Sequence, residues 1–400
     1  MFLDTVLTRN PQLVDHAAEL HHSGAVQPDT YVLDLDAVEA NAALLAGEAR
    51  RWGLGLWPVV KQVGRNPEVI RAVARHLPRF AAIDAPEARA LHAAGARAGN
   101  VGHLVQVPHR ALPEVLARRP EAVTVFDPAN ARAVSDAARQ LGCVQDVLVR
   151  IEGAPGSVHP GQEGGVPLGE LAGFAAEAEQ LSGIRVAGVT AFPCVQCVPG
   201  SGQPRPTATF ALAREARGVL AARGHADLKL SAPGVTCAAT LPLLAELGAT
   251  HGEPGHALTG TTPLHAVDRE QPEQPAYVYV TEVAHVLADG RLALHGGGFY
   301  PRSGVESALI PRTGARLAVQ QAPAESIDYY RLLAPGDARP GDTAVLAFRT
   351  QMFVTRSTVA VVAGLATGSP RLIGRHDALG RPLPEDAGGE GTDGEGTGGP

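Results

Sequence analysis

The two lysines of this chain stand in different settings, and one of these settings suits covalent chemistry. Lys61 closes the apolar run LWPVVK, whereas Lys229 lies inside the alternating run DLKLS. An amine held among apolar neighbours has a lowered pKa, and its neutral form can attack a carbonyl carbon. The alternative for Lys61 is a lysine that snorkels to solvent or forms a salt bridge. Lys61 is therefore the first candidate for a catalytic residue.

Groups that could move a proton or bind a carboxylate lie towards the C-terminus. Tyr300 and His295 flank three glycines in LALHGGGFYPRSG. Tyr300 is our candidate base, and an aromatic ring packed beside a glycine-rich turn is the alternative. Arg349 and Arg356 in FRTQMFVTRS are candidate substrate ligands, because a guanidinium can bind both oxygens of a carboxylate. His103, near another apolar run, is either a site residue or a hydrogen-bonded core histidine.

The elements that must position these residues form a regular pattern between about Asp29 and Leu264, where apolar runs alternate with helical stretches. Runs that are apolar at nearly every position fit strands covered on both faces, and strand–helix alternation indicates a parallel sheet. About eight units in ~235 residues predict an α/β fold with a TIM-type (β/α)8 barrel, whose chemistry lies at the carboxyl ends of the strands. An open doubly wound sheet is the alternative, which the lack of G-x-G-x-x-G after the first run disfavours. The expected strand segments are Tyr31–Leu35, Leu54–Val60, Phe80–Ile83, Val101–Val107, Ala122–Phe126, Val147–Ile151, Val186–Ala191 and Leu228–Ser231.

The residue pattern of the sequence changes after about Asp268. Pro and Gly then separate short β-branched runs, which predicts an all-β C-terminal domain. We therefore expect an N-terminal helical segment at 1–24, a β/α barrel at 25–267 and a β-rich domain at 268–385. The Gly-rich acidic stretch at 386–400 is expected to be disordered.

The composition limits the partners of the chain. A net charge of −7 without a basic run does not favour nucleic acid or an anionic membrane surface. No stretch approaches about 20 apolar residues, and the first residues do not resemble a signal peptide. Four cysteines are too few for a disulfide framework in a chain of this size. We expect a cytoplasmic protein that binds a small molecule, with no nucleic acid or membrane partner.

Several separated motifs resemble one protein family. The stretches YVLDLDAVEANAALL and LWPVVKQVGRNPEVIRAVAR resemble the N-terminal module of the alanine racemase-like, fold-type III proteins. The motifs KQVGRNP, VGHLVQVP, PGQEGG, TAFPC and THGEPGHALTGTTPLH are similar to the YhfX-like branch of that family. The resemblance extends over nearly the whole chain up to Leu383. It implies a barrel that binds pyridoxal 5′-phosphate (PLP), a C-terminal β domain, and a homodimer in which the partner completes the site.

The same resemblance implies roles for individual residues. Lys61 corresponds to the lysine that forms the internal aldimine with PLP. The loops SAPGVTCAAT and EPGHALTG would hold the phosphate through backbone N–H groups and hydroxyls at Gly-containing turns. The expected phosphate ligands are Ser231, Gly234, Thr236, Gly255 and His256. For either loop alone, an ordinary turn with a helix cap is the alternative.

Glu253 is a departure from the racemase pattern. Racemases of the family place Arg opposite the pyridine nitrogen, which disfavours its protonation, and this chain has Glu253 at that position. A carboxylate there would favour a protonated ring and a stronger electron sink. That puts simple alanine racemisation in doubt, because a long-lived carbanion also permits transamination, elimination or aldol cleavage. The alternative is that Glu253 caps a helix or pairs with an Arg.

No metal site is predicted. Dehydratases related to this family carry a His and a Cys that bind zinc, whereas the corresponding stretch here reads FRTQMF. The lone C-x-x-C of Cys194 and Cys197 is weak without a second pair.

Together the motifs favour a PLP-dependent enzyme that acts at the α-carbon of an amino acid or amine. An amino-acid racemase or epimerase, and hence an isomerase, is the simplest form. The alternatives are a non-catalytic PLP-binding homeostasis protein and a PLP lyase or aldolase on a D-amino acid. A barrel aldolase that uses Lys61 without PLP is a further one.

Overall fold

A computed structural model describes residues 2–198, 200–302, 305–322 and 327–384. The Gly-rich tail predicted at 386–400 lies outside the described residues. Within these ranges, no helix combines the length and the apolar character that crossing a membrane requires.

The described residues contain ten α-helices and nineteen strands. The helices are α1 (Phe2–Arg9), α2 (Pro11–His22), α3 (Leu35–Arg51), α4 (Pro67–Ala74), α5 (Ala85–Ala93), α6 (Leu112–Ala117), α7 (Pro128–Gln140), α8 (Leu171–Ala178), α9 (Ala208–Ala222) and α10 (Leu241–Glu246). The strands are β1 (Thr30–Asp34), β2 (Gly55–Leu56), β3 (Arg79–Ala82), β4 (Arg97–Val101), β5 (Ala122–Val125), β6 (Gln145–Arg150), β7 (Ile184–Thr190), β8 (Val195–Cys197), β9 (Pro204–Pro206), β10 (Lys229–Ser231), β11 (His251–Gly252), β12 (Tyr277–Val286), β13 (Leu292–His295), β14 (Ser307–Ile310), β15 (Ala315–Ala318), β16 (Tyr330–Leu333), β17 (Thr343–Leu346), β18 (Thr358–Ala363) and β19 (Arg371–Asp377).

Eight parallel strands form a nearly closed barrel in the order β2-β11-β10-β7-β6-β5-β4-β3. The two edges approach each other after β2, where Ala81 N–H donates to the carbonyl of Pro58 at 3.0 Å. The helices between the strands pack around the barrel, and their apolar faces join one large core with the strand residues. The predicted TIM-type barrel with a following β domain is therefore confirmed.

The first predicted barrel strand belongs to the β domain instead. Strand β1, which corresponds to Tyr31–Leu35, pairs antiparallel with β12 and parallel with β18. The eighth barrel strand is the two-residue β11, between β10 and β2. The prediction failed because every residue of β1 is buried. Such a run indicates cover on both faces and does not say which elements provide the cover.

The β domain contains a mixed sheet with its own helical cover. Its main path is β15-β14-β17-β12-β1-β18-β19, and β13 pairs with both β12 and β16. On one face, Val32 packs in a separate hydrophobic cluster with Leu13 of α2 and Phe2 of α1. On the other face, Tyr31 and Leu33 join the core shared with the barrel. The N-terminal helices, expected ahead of the barrel, therefore cover the outer face of this sheet.

Side-chain caps fix the points at which helices begin after the barrel strands. Asn66 accepts from the amides of Glu68 and Val69 at the start of α4. Asp84 and Asp127 cap α5 and α7 in the same way. Proline follows each of these caps within the first two helical positions, where its missing N–H costs nothing. These short, capped turns lie at the carboxyl ends of the strands.

Candidate active site

A cavity that is open to solvent on one side lies at the carboxyl ends of the barrel strands. Both parts of the molecule contribute to its wall. The candidate residues from the sequence that line it are Lys61, His103, Gly234, Thr236, Glu253, Gly255, His256 and Arg349.

Lys61 begins a single helical turn, Lys61–Val63, directly after the extended segment that leaves β2. Burial lowers the pKa of its amine, and the charges of Glu87 and Glu253 only partly oppose that effect. Among the described residues, no carboxylate lies within 4 Å of its Nζ. Lys229 has the opposite environment, because its Nζ lies 3.3 Å from Glu121 at the amino ends of the strands. The salt-bridge alternative therefore holds for Lys229 and not for Lys61.

Glu253 is buried in the cavity wall. One of its carboxyl oxygens is hydrogen-bonded, and the other, called open below, has no hydrogen-bond partner among the described residues. Its Oε1 accepts a hydrogen bond from Ser231 Oγ at 2.8 Å, whereas Oε2 has no hydrogen-bond partner among the described residues. Burial raises the pKa of this carboxyl to about 7, although Ser231, Arg150 and Lys61 act in the opposite direction. Glu253 neither caps a helix nor pairs directly with an Arg. An open carboxyl oxygen in a buried wall is suited to a ligand with an N–H group.

Ser231 and Thr236 both contact Glu253. Ser231 is fully buried behind Glu253 and does not reach the cavity wall, so its hydroxyl serves the carboxyl and not a phosphate. Thr236 lines the cavity, and its Oγ1 accepts from the backbone N–H of Glu253 at 3.2 Å. Of the two predicted hydroxyl residues, only Thr236 therefore reaches the cavity wall.

The turn at Gly255 forms a tight cradle against the lysine loop. A Cβ on Gly255 would collide with the side-chain amide of Gln62. The amides of Gly255 and His256 donate to no carbonyl within the described ranges. A Cβ on Gly234 would likewise collide with the backbone of Val195. Open amides beside a surface without side chains are what a phosphate group needs.

His103 and Arg150 lie beneath Glu253. His103 Nε2 is 3.5 Å from Glu253 Oε2. Burial, Arg150 and Lys61 lower the pKa of His103 far below its usual value, so the imidazole is neutral and the contact is not an ion pair. Arg150 is almost fully buried and donates to the carbonyls of His103, Gln162 and Gly164 at 2.9, 3.0 and 3.3 Å. No carboxylate of the described residues lies within 4 Å of its guanidinium, so it is a buried positive charge beside Glu253.

The structure places the three predicted residues of the β domain in different positions relative to the cavity. Arg349 lines the cavity, and burial lowers the pKa of its guanidinium. Arg356 is exposed outside the cavity and donates to the carbonyl of Asp328 at 2.9 Å, so the structure does not bring it to the site. Tyr300 is 39% exposed and is not part of the cavity wall. Its hydroxyl accepts from Arg302 Nη1 at 3.2 Å.

Sequence reasoning missed Gln62, Gln351 and Thr262 in the wall, and Arg150 beneath it. Gln62 and Gln351 are neighbours of predicted residues, so a search one or two positions around Lys61 and Arg349 could have found them. Arg150 carried a weaker signal, a lone charge at the end of an apolar strand. In the described ranges, no group of three or more His, Cys, Asp or Glu side chains is arranged to bind a metal ion.

The sequence of the chain matches two protein-family models. The model described as "Alanine racemase, N-terminal domain" matches residues 33–263, and this chain belongs to that family. Residues 278–372 match the model described as "YhfX-like, C-terminal domain". The protein described as "Uncharacterized protein YhfX" from Escherichia coli (strain K12) is 37% identical over 388 residues, which are 96% of this chain and 100% of that relative. The predicted YhfX-like resemblance is confirmed.

Solved structures of low identity share the fold. D-threonine aldolase from Filomicrobium marinum has a TM-score of 0.66 at 19% identity, covering 89% of this chain and 96% of its own. D-threo-3-hydroxyaspartate dehydratase from Delftia sp. HT23 has a TM-score of 0.64 at 18% identity, covering 87% and 96%. Alanine racemase from Clostridium difficile 630 has a TM-score of 0.62 at 14% identity, covering 88% and 99%. At these identities the similarity concerns the fold alone.

Proposed function

We propose that the chain is a PLP-dependent enzyme that acts at the α-carbon of an amino acid, with Lys61 as the residue that bonds the cofactor. One observation carries the proposal. The buried amine of Lys61, which has no carboxylate partner in the described chain, shares one cavity with the open Oε2 of Glu253 and the open amides of Gly255 and His256. An amine for the aldehyde and a cradle for the phosphate are the groups that hold PLP, and an acceptor opposite the ring nitrogen favours the protonated ring.

The cofactor, when bound, supplies an electron sink that lowers the energy of a carbanion at the α-carbon. The chain would hold it at three places: Lys61 at the aldehyde, Glu253 opposite the ring nitrogen, and the Gly255 turn with Thr236 at the phosphate. Lys61 is also positioned to take a proton on one face of the site. Arg349 supplies a guanidinium for the substrate carboxylate.

The reaction after proton removal has two leading candidates. A racemase or epimerase, an isomerase that needs a base on each face, is the simplest, and Tyr300 is the candidate for the second base. A lyase or aldolase acting on a D-amino acid is the second, and Glu253 favours it, because a carboxylate opposite the ring nitrogen suits chemistry beyond racemisation. D-threonine aldolase and the dehydratase share the fold as closely as alanine racemase does. A PLP carrier is disfavoured because the β domain contributes Arg349 to the cavity wall.

The first experiment relies on the fact that the chain has only two lysines that PLP could bond. Purified protein is incubated with PLP, its absorbance is read near about 420 nm, and the bond is then trapped with borohydride for peptide mass spectrometry. We expect the cofactor mass on the peptide that contains Lys61 only. Lys61→Ala should lose the absorbance. Lys229→Arg, which keeps the ion pair with Glu121, is the matched control and should retain it.

The reaction class is read in a second experiment. The protein with PLP is incubated in D2O with L- and D-amino acids, and products are separated by chiral chromatography. Deuterium at the α-carbon with inversion indicates a racemase, whereas loss of the amino acid to an aldehyde or a keto acid indicates a lyase. Cofactor on Lys229, or no covalent bond in the wild type, would contradict the proposal.

A further inference from the structure

A line of three buried side chains leads from the cavity wall into the interior of the molecule. Thr262 lines the cavity, and its Oγ1 lies 2.7 Å from Nδ1 of His265. On the other side of the imidazole ring, Nε2 of His265 lies 3.3 Å from Oε2 of Glu273. All three residues are at most 2% exposed. The functions proposed above involve none of these side chains.

Neighbouring turns hold the three residues in place. Oε1 of Glu273 accepts a hydrogen bond from the backbone N–H of Ala238 at 2.7 Å, at the start of the short helical turn Ala238–Thr240. Thr262 and His265 lie in the turns that follow the Gly255 turn along the chain. Among the described residues, no Lys or Arg side chain lies within 4 Å of the Glu273 carboxyl. This carboxyl therefore faces the imidazole without a competing cation.

The order of these contacts determines which atoms carry protons. A carboxylate favours a proton on the imidazole nitrogen that faces it, so the proton of the neutral His265 ring belongs on Nε2. Nε2 and Oε2 of Glu273 are not aligned for a hydrogen bond, so their contact is electrostatic. Nδ1 is then an acceptor, and the hydroxyl of Thr262 donates its proton to it. A hydroxyl, an imidazole and a carboxylate in this order can take up a proton at the hydroxyl oxygen.

An amine substrate brings a proton that has to be removed. An amino acid carries a protonated amine at neutral pH, and an ammonium group has no free electron pair with which to attack carbon. His256 also lines the cavity, but burial and the charge of Arg349 hold the pKa of its imidazole far below the usual value. His256 is therefore a weak base. His265 has a carboxylate beside it that stabilises its protonated form.

We propose that Thr262 is a catalytic residue that accepts the ammonium proton of the incoming substrate, and that His265 and Glu273 are the positioning residues behind it. An N–H bond of the ammonium group breaks, and its electron pair stays on nitrogen. The proton forms an O–H bond with Thr262 while the hydroxyl proton of Thr262 passes to Nδ1 of His265. The carboxylate of Glu273 stabilises the imidazolium that results.

The proton returns to the amine of the product by the reverse path, so these residues neither gain nor lose a proton over a turnover. The inference rests on the proposed function, because it needs an amine substrate in this cavity. It holds for a racemase and for a lyase alike, since both must first receive a neutral amine.

The test compares two kinds of amine at neutral pH on the protein loaded with PLP. Amino acids carry an ammonium group there, whereas O-methylhydroxylamine is already neutral and needs no proton acceptor. The rate of the absorbance change near about 420 nm is measured after mixing with L- and D-amino acids or with O-methylhydroxylamine. Thr262→Val should slow the reaction with amino acids by about tenfold or more and change the reaction with O-methylhydroxylamine by about twofold or less.

Two further variants separate the hydroxyl and the carboxylate from the packing of the site. Thr262→Ser keeps the hydroxyl and should retain most of the rate with amino acids. Glu273→Gln keeps an acceptor for the N–H of Ala238 but removes the charge, and it should show the same selective loss as Thr262→Val.

A second group of the same composition lies outside the cavity and provides the matched control. Nδ1 of His21 lies 2.7 Å from Oγ1 of Thr343, and its Nε2 lies 3.6 Å from Oε2 of Glu282. Thr343→Val removes the same kind of hydroxyl–imidazole contact where no ligand is expected. It should leave the rates with both kinds of amine unchanged.

The positions of the protons are checked without cofactor or substrate. NMR of labelled imidazole nitrogens in the cofactor-free protein should show His265 with a proton on Nε2 and none on Nδ1. The signal is assigned by its loss in His265→Asn. A proton on Nδ1 of the resting protein would overturn the inference, because the hydroxyl proton of Thr262 would have no acceptor.

The kinetic outcomes are equally distinct. Equal slowing of both kinds of amine by Thr262→Val overturns the inference alone, because the hydroxyl would then serve the structure of the site. So does a wild type that bonds PLP at Lys61 but reacts no faster with any amino acid than Thr262→Val does. A wild type that forms no bond with PLP at Lys61 overturns the proposed function and this inference together.

Discussion

Glu253 is the residue whose surroundings have the largest chemical consequence. Burial raises the pKa of its carboxyl to about 7, and the bond from Ser231 and the charges of Arg150 and Lys61 keep it from rising further. Near neutral pH this side chain is therefore divided between its neutral and ionised forms. A bound group with a positive N–H at the open Oε2 would favour the ionised form. Arg150, buried nearby without a carboxylate partner in the described chain, acts in the same direction.

A pH dependence of stability follows for the protein without cofactor. The pKa of Glu253 is higher in the folded state, about 7, than the ordinary value of 4.5 expected in the unfolded chain. The folded state therefore binds more protons between these values, and the stabilisation present below pH 4.5 is lost as pH rises through 7. Between pH 5 and 8 the loss is about 2–3 kcal/mol.

Glu253→Gln should remove this dependence, because the amide does not titrate. The measurement is urea unfolding of cofactor-free wild type and variant from pH 5 to 8. We expect the difference in unfolding free energy, wild type minus variant, to fall over that range. A difference that stays constant with pH would mean that Glu253 does not titrate as described.

Among the elements, the two loops that face each other across the cavity are packed without spare room. The turn that begins at Gly255 lies against the Lys61–Val63 turn, so that a Cβ on Gly255 would meet the Gln62 amide. The lysine loop and the cradle loop therefore fix each other. The position of Lys61 relative to the open amides depends on this contact.

Gly255→Ala should weaken PLP binding by about tenfold, because overpacking of this kind typically costs 1–3 kcal/mol and displaces the cradle. The double variant Gly255→Ala/Gln62→Ala should recover much of the affinity, since it removes the amide that the new methyl group would meet. Affinity is measured by absorbance titration with PLP. Gly173→Ala, in helix α8 with open space around it, is the control and should bind PLP as the wild type does. A double variant no better than the single one would argue against the packing explanation.

The whole molecule places the cavity between its two parts. The barrel supplies Lys61 and Glu253, and the β domain supplies Arg349 from the segment after β17. The β sheet in turn is held between the barrel core and the N-terminal helices. A change in the packing of the sheet would therefore move Arg349 relative to Lys61.

We also propose that the chain forms a homodimer, as its resemblance to the alanine racemase-like proteins implies, and that Tyr300 acts across the interface. Within one chain Tyr300 is 39% exposed and outside the cavity wall. Lys61→Ala and Tyr300→Phe, each inactive, should regain activity when mixed. Half of the random dimers would be hybrids with one intact site, which gives about a quarter of wild-type activity.

The measurement is the interconversion of L- and D-enantiomers before and after mixing, read by chiral chromatography, with the oligomeric state read by light scattering. Mixing either variant with itself is the control. A monomer in solution, or a mixture with no recovered activity although hybrids form, would contradict this arrangement.

The sequence by itself determined the barrel class, the β domain and the lysine. Apolar runs and their alternation with helices are local patterns, and Lys61 ends such a run, so its place at the barrel mouth follows from strand direction alone. The glycine-containing loops were predictable for the same reason. A turn that needs a residue without a Cβ has its glycine at that very position of the sequence.

Only the tertiary structure decided which surfaces cover each strand and which side chains meet. A strand buried on both faces reads the same in a barrel as in a sheet covered by helices, so β1 was misplaced. Ser231 was expected to serve a phosphate, but the folded chain places it behind Glu253, 22 residues further along. Arg302 and Arg349 come together only through pairing of distant segments. Burial is a property that a sequence displays position by position, whereas the partner of a buried group is fixed by long-range packing.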